Sequence, residues 1–179
     1  MGIVIAGVWG LAEAILFFLV PDVWLTRLAI TRSYRYSIKA CLAAVSGALL
    51  GGVVMVVWSG LDAGTAQGLV LSLPAISESM AGEVQRQLAS GNPLVLLHGA
   101  FSGIPYKLYA VYVTESDIPL WLFLLAAAPA RLVRFVLTVT LAHWLARLLE
   151  PYLGRKLLLR LWGGFWVLFY CAFWWVMPW

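Results

Sequence analysis

An eleven-residue stretch, Ala12-Glu13-Ala14-Ile15-Leu16-Phe17-Phe18-Leu19-Val20-Pro21-Asp22, leaves this chain few folds to choose from. It is apolar, carries a carboxylate near its start and closes on a Pro-Asp break. A helix that crosses a bilayer needs roughly 20 apolar residues, and this run offers about half of that before the proline. Proline removes an amide donor and clashes with the preceding turn. A helix broken at membrane depth survives only where protein packs around it or where it lines a cavity. Glu13 and Asp22, as ionisable groups in such a segment, are functional candidates. A second stretch, Leu97-His98-Gly99-Ala100-Phe101-Ser102-Gly103-Ile104-Pro105-Tyr106-Lys107, is built alike, with Lys107 in place of the acid. Pro21, Gly103 and Pro105 are the expected break points. One acidic and one basic half-span point to a transporter.

Composition supplies the solvent. Of 179 residues 63% are hydrophobic and 11% charged, and the mean hydropathy is +0.93. A soluble domain carries about a quarter of its residues as charges, so the chain reads as one multi-pass membrane domain spanning residues 1–179. The net charge of +4 gathers in two clusters, Arg27 with Arg32, Arg35 and Lys39, and Arg147 with Arg155, Lys156 and Arg160. These are topology signals, not a nucleic-acid surface. Ten tryptophans fit interfacial belts. Cys41 and Cys171 lie in apolar stretches without metal-ligand spacing, so free thiols, no metal and no cofactor are expected. No cleavable leader is expected either, because residues 1–10 lack a basic start and the first apolar run contains Glu13.

Taken in order, residues 1–37 read as a first re-entrant hairpin with a basic loop, and 38–59 as a spanning helix. Ser46-Gly47 and Gly51-Gly52 would let a neighbouring helix approach that span closely, within the chain or from a second copy, so a homo-oligomer stays open. Residues 60–92 form an external polar segment. In it Ile76, Met80, Val84 and Leu88 recur every fourth residue, which predicts an amphipathic helix over Ser77 to Leu88 lying on the membrane surface. Residues 93–117 read as the second hairpin, and 118–149 as a span with Pro129, Arg131, Arg134 and His143. After a turn at Glu150-Pro151, residues 157–178 form a last span rich in Trp and Phe. The positive-inside rule puts 27–39 and 147–160 in the cytoplasm. The two broken segments then enter from opposite sides and meet near the midplane, as in inverted-repeat transporters. The expected fold is therefore all-α: two opposed re-entrant hairpins, three full spans and an external amphipathic helix.

Three motifs stand on these elements: Glu13-x8-Asp22 with Pro21, Gly103-Ile104-Pro105-Tyr106-Lys107, and Ala130-Arg131-Leu132-Val133-Arg134-Phe135. Together they resemble the DedA/VTT superfamily, which includes the SNARE-associated Golgi-type proteins, over roughly Gly10 to Leu149. Members of that family carry an acid before a first break and Pro with an acid after it. They also carry Gly-x-Pro-x-Lys or Arg at a second break, and an Arg-x-x-Arg-Phe-like start to the next helix. This chain has Ala130 where that pattern has glycine, and Phe101 where one branch has a further arginine; Arg131 or Arg134 is the replacement for that charge. The resemblance implies movement of lipids between leaflets: undecaprenyl phosphate or other polar lipids in bacterial members, some using the proton gradient, and phospholipid scrambling in eukaryotic ones. It also implies a small prokaryotic member.

Such a carrier needs a polar cavity with a partner for the headgroup charge. Lys107, Arg131 and Arg134 suit a phosphate, arginine binding two oxygens at once and lysine acting as a point charge. Half-helix N-termini at the breaks add amide donors. Glu13 and Asp22 fall to the proton or counter-ion side, since an ionised carboxylate repels phosphate unless it is protonated or paired. His98 is a candidate relay. Structural readings stand beside these: Asp22 as cap of a helix starting at Val23, Glu13 paired to Lys107 or Arg134, and Arg134 snorkelling to the interface. There is no His-Glu-x-x-His pair, Gly-x-Ser-x-Gly elbow or Walker loop, so no enzyme is expected. The competing reading is a non-transporting membrane scaffold that buries the same charges for packing.

Overall fold

A computed structural model describes residues 1–176, with backbone alone at residues 100 and 101; the last two residues of the expected 157–178 span lie outside the described residues. The apolar N-terminus winds into α1 (Gly2–Ile15), which stops at Leu16. Residues 16–20 form a loop, held where Trp9 Nε1 donates to the Leu19 carbonyl at 2.9 Å. Pro21, fully buried, then starts α2 (Asp22–Thr31). Its fixed φ and missing N–H are harmless only at a helix start.

Ser33 caps the next helix, α3 (Tyr34–Leu61), by accepting from the Tyr36 amide. Helix α1 lies against α3 through glycines. A Cβ on Gly10 would fall 2.1 Å from the Ala44 carbonyl oxygen, and one on Gly47 1.9 Å from that of Gly7. Gly51 and Gly52 are filled likewise, by Leu11 and by the Tyr106 hydroxyl. The small-residue face of α3 is therefore taken up within the chain, not by a second copy.

The polar segment that follows is more helical than its mixed composition predicts. Asp62 caps α4 (Ala63–Leu71) and Ser77 caps α5 (Glu78–Ala89). The amphipathic helix is present, but Ala81, Val84 and Leu88 bury themselves in the protein core, against α7, and not in a membrane surface. The reason is α7 (Tyr106–Tyr112): all seven of its residues are buried and need a cover on every side. Ahead of it, α6 (Val95–Ser102) ends at Gly103, whose φ of 83° is open to glycine without a Cβ penalty. Pro105 then leads into α7, and a 3-10 turn, Val113–Glu115, follows it.

The remainder is α8 (Leu120–Val176). The two spans expected over 118–149 and 157–178 are one helix with a break, and the break is at Gly154 rather than Glu150-Pro151. Gly154 has φ 70°, which proline, locked near −65°, cannot adopt; the helix runs straight through Pro129 and Pro151. No strand occurs among the described residues. Two helices, α3 and α8, are long and apolar enough to cross a membrane. Their outer faces expose Leu50, Val54 and Val57 on α3 and Leu125, Leu137 and Leu141 on α8.

Candidate functional site

Where α1 ends and α2 begins, two carboxylates come to rest in the interior. Glu13 sits in the last turn of α1, and Asp22 opens α2; both are buried. Arg131 and Arg134 stand three residues apart on α8, hence on one face of it. That face crosses the broken α1–α2 unit, so each arginine meets one acid. Arg131 Nη2 donates to Glu13 Oε2, and Arg134 Nη2 donates to Asp22 Oδ2 at 2.6 Å. The first pair is fully enclosed, with side chains 7% and 9% exposed; the second leaves Arg134 31% exposed. Arg131 also lies over the Tyr106 ring at 4.7 Å, an attraction between cation and ring quadrupole.

Lys107, buried at the start of α7, has no acidic partner among the described residues. Its Nζ donates to the Phe17 carbonyl at 2.8 Å, two residues past the end of α1. A cation there satisfies an orphaned carbonyl and complements the negative end of the α1 dipole. The charged group thus holds two carboxylates and three cations, one positive charge in excess.

All five side chains line one cavity of about 420 Å³. Gly103 and Pro105 contribute to its wall, and Phe18, Trp166, Phe169, Tyr170 and Phe173 form an aromatic side. Two polar atoms of this neighbourhood, Arg131 Nε and Tyr106 Oη, are buried without a hydrogen-bond partner. Buried donors are rarely left so, and those that are call for an explanation. No group of three His, Cys, Asp or Glu capable of holding a metal occurs among the described residues. Chemically, the cavity suits one anion with an apolar body: excess positive charge on one side, rings on the other.

The candidates from sequence mostly converge here. Glu13, Asp22, Lys107, Arg131 and Arg134 meet, with Gly103 and Pro105 at the wall and Pro21 setting the break beneath Asp22. Three expectations need correction. His98 is exposed on α6 and does not line the cavity, so it has no relay position. Asp22 makes no capping hydrogen bond, because its carboxylate is engaged by Arg134. Arg134 does not snorkel; Asp22 holds it inward. Sequence reasoning missed Tyr106, Thr26 and the aromatic side of α8. The spacing of Trp166 with Tyr170 and of Phe169 with Phe173, each four apart along one helix face, was the signal for the last of these.

No family model, curated protein or solved structure matches the chain.

Proposed function

We propose that this chain moves a lipid bearing an anionic phosphate headgroup between the leaflets of a bilayer, without hydrolysing ATP. What carries this reading is the charged cavity itself: a cluster with one excess positive charge, walled on one side by α8, a helix long and apolar enough to cross a membrane. Taking charges into an apolar environment costs several kcal/mol per ion in desolvation, roughly, and a fold gains little by it unless the charges are used. In this reading α1–α2 and α6–α7 are two half-spanning hairpins of an inverted repeat, broken at 16–20 and at 103–105, that enter the membrane from opposite sides. The resemblance to the DedA/VTT superfamily agrees with that arrangement. The protein is then a multi-pass inner-membrane protein with loops 27–39 and 147–160 in the cytoplasm.

The mechanism follows from exchange of partners. An incoming phosphate competes with Glu13 and Asp22 for the arginines, and Lys107 adds a third contact. Glu13 and Asp22, displaced from their arginines, are the proton or counter-ion side of this exchange. Headgroup binding is thereby linked to protonation, and a pH gradient can drive it.

One observation favours the scaffold reading: both acids already have partners, as a purely structural pair would. The experiment that separates them is translocation in proteoliposomes of a fluorescent phospholipid and a polyprenyl phosphate, with and without a pH gradient. Movement of the phosphate lipid that responds to the gradient supports the coupled carrier. Movement of every lipid regardless of gradient makes it a scramblase, and folded protein that moves none of them is a scaffold.

A further inference from the structure

The arm of α8 beyond Gly154 carries none of the cavity's charged side chains, yet Trp166, Phe169, Tyr170 and Phe173 on it wall the cavity. Polar contacts lay this arm on α2 and on the 16–20 loop. Trp162 and Trp166 Nε1 donate to Thr26 Oγ1 at 2.9 and 3.2 Å, and the Val20 amide donates to the Tyr170 hydroxyl oxygen at 3.0 Å. That hydroxyl therefore accepts a bond but donates none to any described residue. A phenol is both donor and acceptor, and an accepted bond polarises its remaining O–H. Its free proton stands at the wall of a cavity with excess positive charge.

We propose that Tyr170 is a headgroup-binding residue, donating to the anion held by Lys107, Arg131 and Arg134, and that the aromatic arm makes the cavity select a lipid phosphate over free phosphate. The inference rests on the anion-binding reading of the cavity and extends it. The cations answer to phosphate of any origin. Trp166, Phe169 and Phe173, beside Phe18, offer apolar surface that only an amphiphile can use. The loss of a hydrogen bond to a charged oxygen weakens binding by about tenfold or more.

The test is calorimetric titration of the purified chain in a non-ionic maltoside detergent, with dihexanoyl phosphatidic acid and with inorganic phosphate. Wild type is expected to bind the lipid at least about tenfold more tightly than phosphate, and about tenfold more tightly than Tyr170→Phe binds it. Trp162→Phe removes a tether outside the cavity and keeps wild-type affinity. Equal affinity in wild type and Tyr170→Phe overturns the proposal alone. So does an equal loss in Trp162→Phe, which would make Tyr170 a mere anchor of the arm, or equal binding of lipid and phosphate. Wild type binding neither anion overturns the anion-binding reading as well. Should Tyr170→Phe not fold, 3-fluorotyrosine at 170, titrated at mildly acidic pH where its phenol stays protonated and is a stronger donor, is expected to tighten lipid binding, and unchanged affinity overturns the proposal.

Discussion

Replacing Arg131 with methionine strips Glu13 of its partner while keeping an apolar chain of similar reach. Both side chains are more than nine-tenths buried, so the carboxylate cannot turn to solvent. Removing one member of a buried pair costs about 3–5 kcal/mol, which for a chain of this size is a fall in melting temperature of roughly 6–20 °C. Lys107 lies within the field of Glu13 and takes up part of the orphaned charge, which favours the lower half of that range. Arg131→Met with Glu13→Gln removes both charges, and the double variant is expected to regain most of the loss. Arg134→Met orphans Asp22, whose side chain is as buried as that of Glu13, and is expected to cost a similar amount. The chain carries its own probe. Cys41 is completely buried in the core that α3 shares with α1, α2 and α8, and Cys171 is exposed. In a Cys171→Ser background, labelling of Cys41 by a maleimide dye on heating reports unfolding directly. An Arg131→Met variant that melts within about 2 °C of wild type refutes the reasoning, as does a double variant no more stable than the single one.

Three further outcomes follow from the packing and the caps. Gly47→Ala drives a methyl into the Gly7 carbonyl and is expected to undock α1, read as rapid Cys41 labelling at room temperature. Gly60→Ala, with nothing within 4 Å of the new methyl, is expected to stabilise α3 by about 0.5–1 kcal/mol in the same assay. The Asp62 carboxylate is held below its ordinary value of 3.8, first by the Thr65 hydroxyl and then by the Thr65 amide. A depressed pKa stabilises the folded state above the unfolded value and is lost as the pH falls through the folded one. The protection factor of the Thr65 amide, its exchange rate corrected for the intrinsic pH dependence, is therefore expected to fall on acidification below that range and to stay constant near neutrality.

What the sequence made legible was mostly local. Gly103 ends α6 and Pro21 starts α2 because φ and amide chemistry are decided within a few residues, although α1 stops at Ile15, well before the proline, and the three-residue spacing of Arg131 and Arg134 places both on one face wherever α8 lies. Pairing was another matter. The signs of the charges were plain, but Glu13 with Arg131 and Asp22 with Arg134 depend on how α8 crosses α1 and α2. No local pattern encodes that crossing. The amphipathic face of α5 was legible too, but its partner was not, since a membrane surface and the buried α7 ask for the same apolar stripe. Gly154 was overlooked because Pro151 is the stronger breaker by composition, although only glycine adopts the positive φ the bend requires. His98 drew attention through its apolar neighbours, yet on so short a helix as α6 a single residue's phase decides between cavity and exterior.

Whether the buried charges serve transport or only packing is decided by one comparison: translocation of a polyprenyl phosphate by wild type and by the Glu13→Gln, Arg131→Met double variant in proteoliposomes. The double variant is expected to fold with near wild-type stability and to move no lipid, because the headgroup has lost an arginine and the cluster its exchangeable acid. Wild-type transport by that variant would contradict the account and leave the enclosed pair as packing alone.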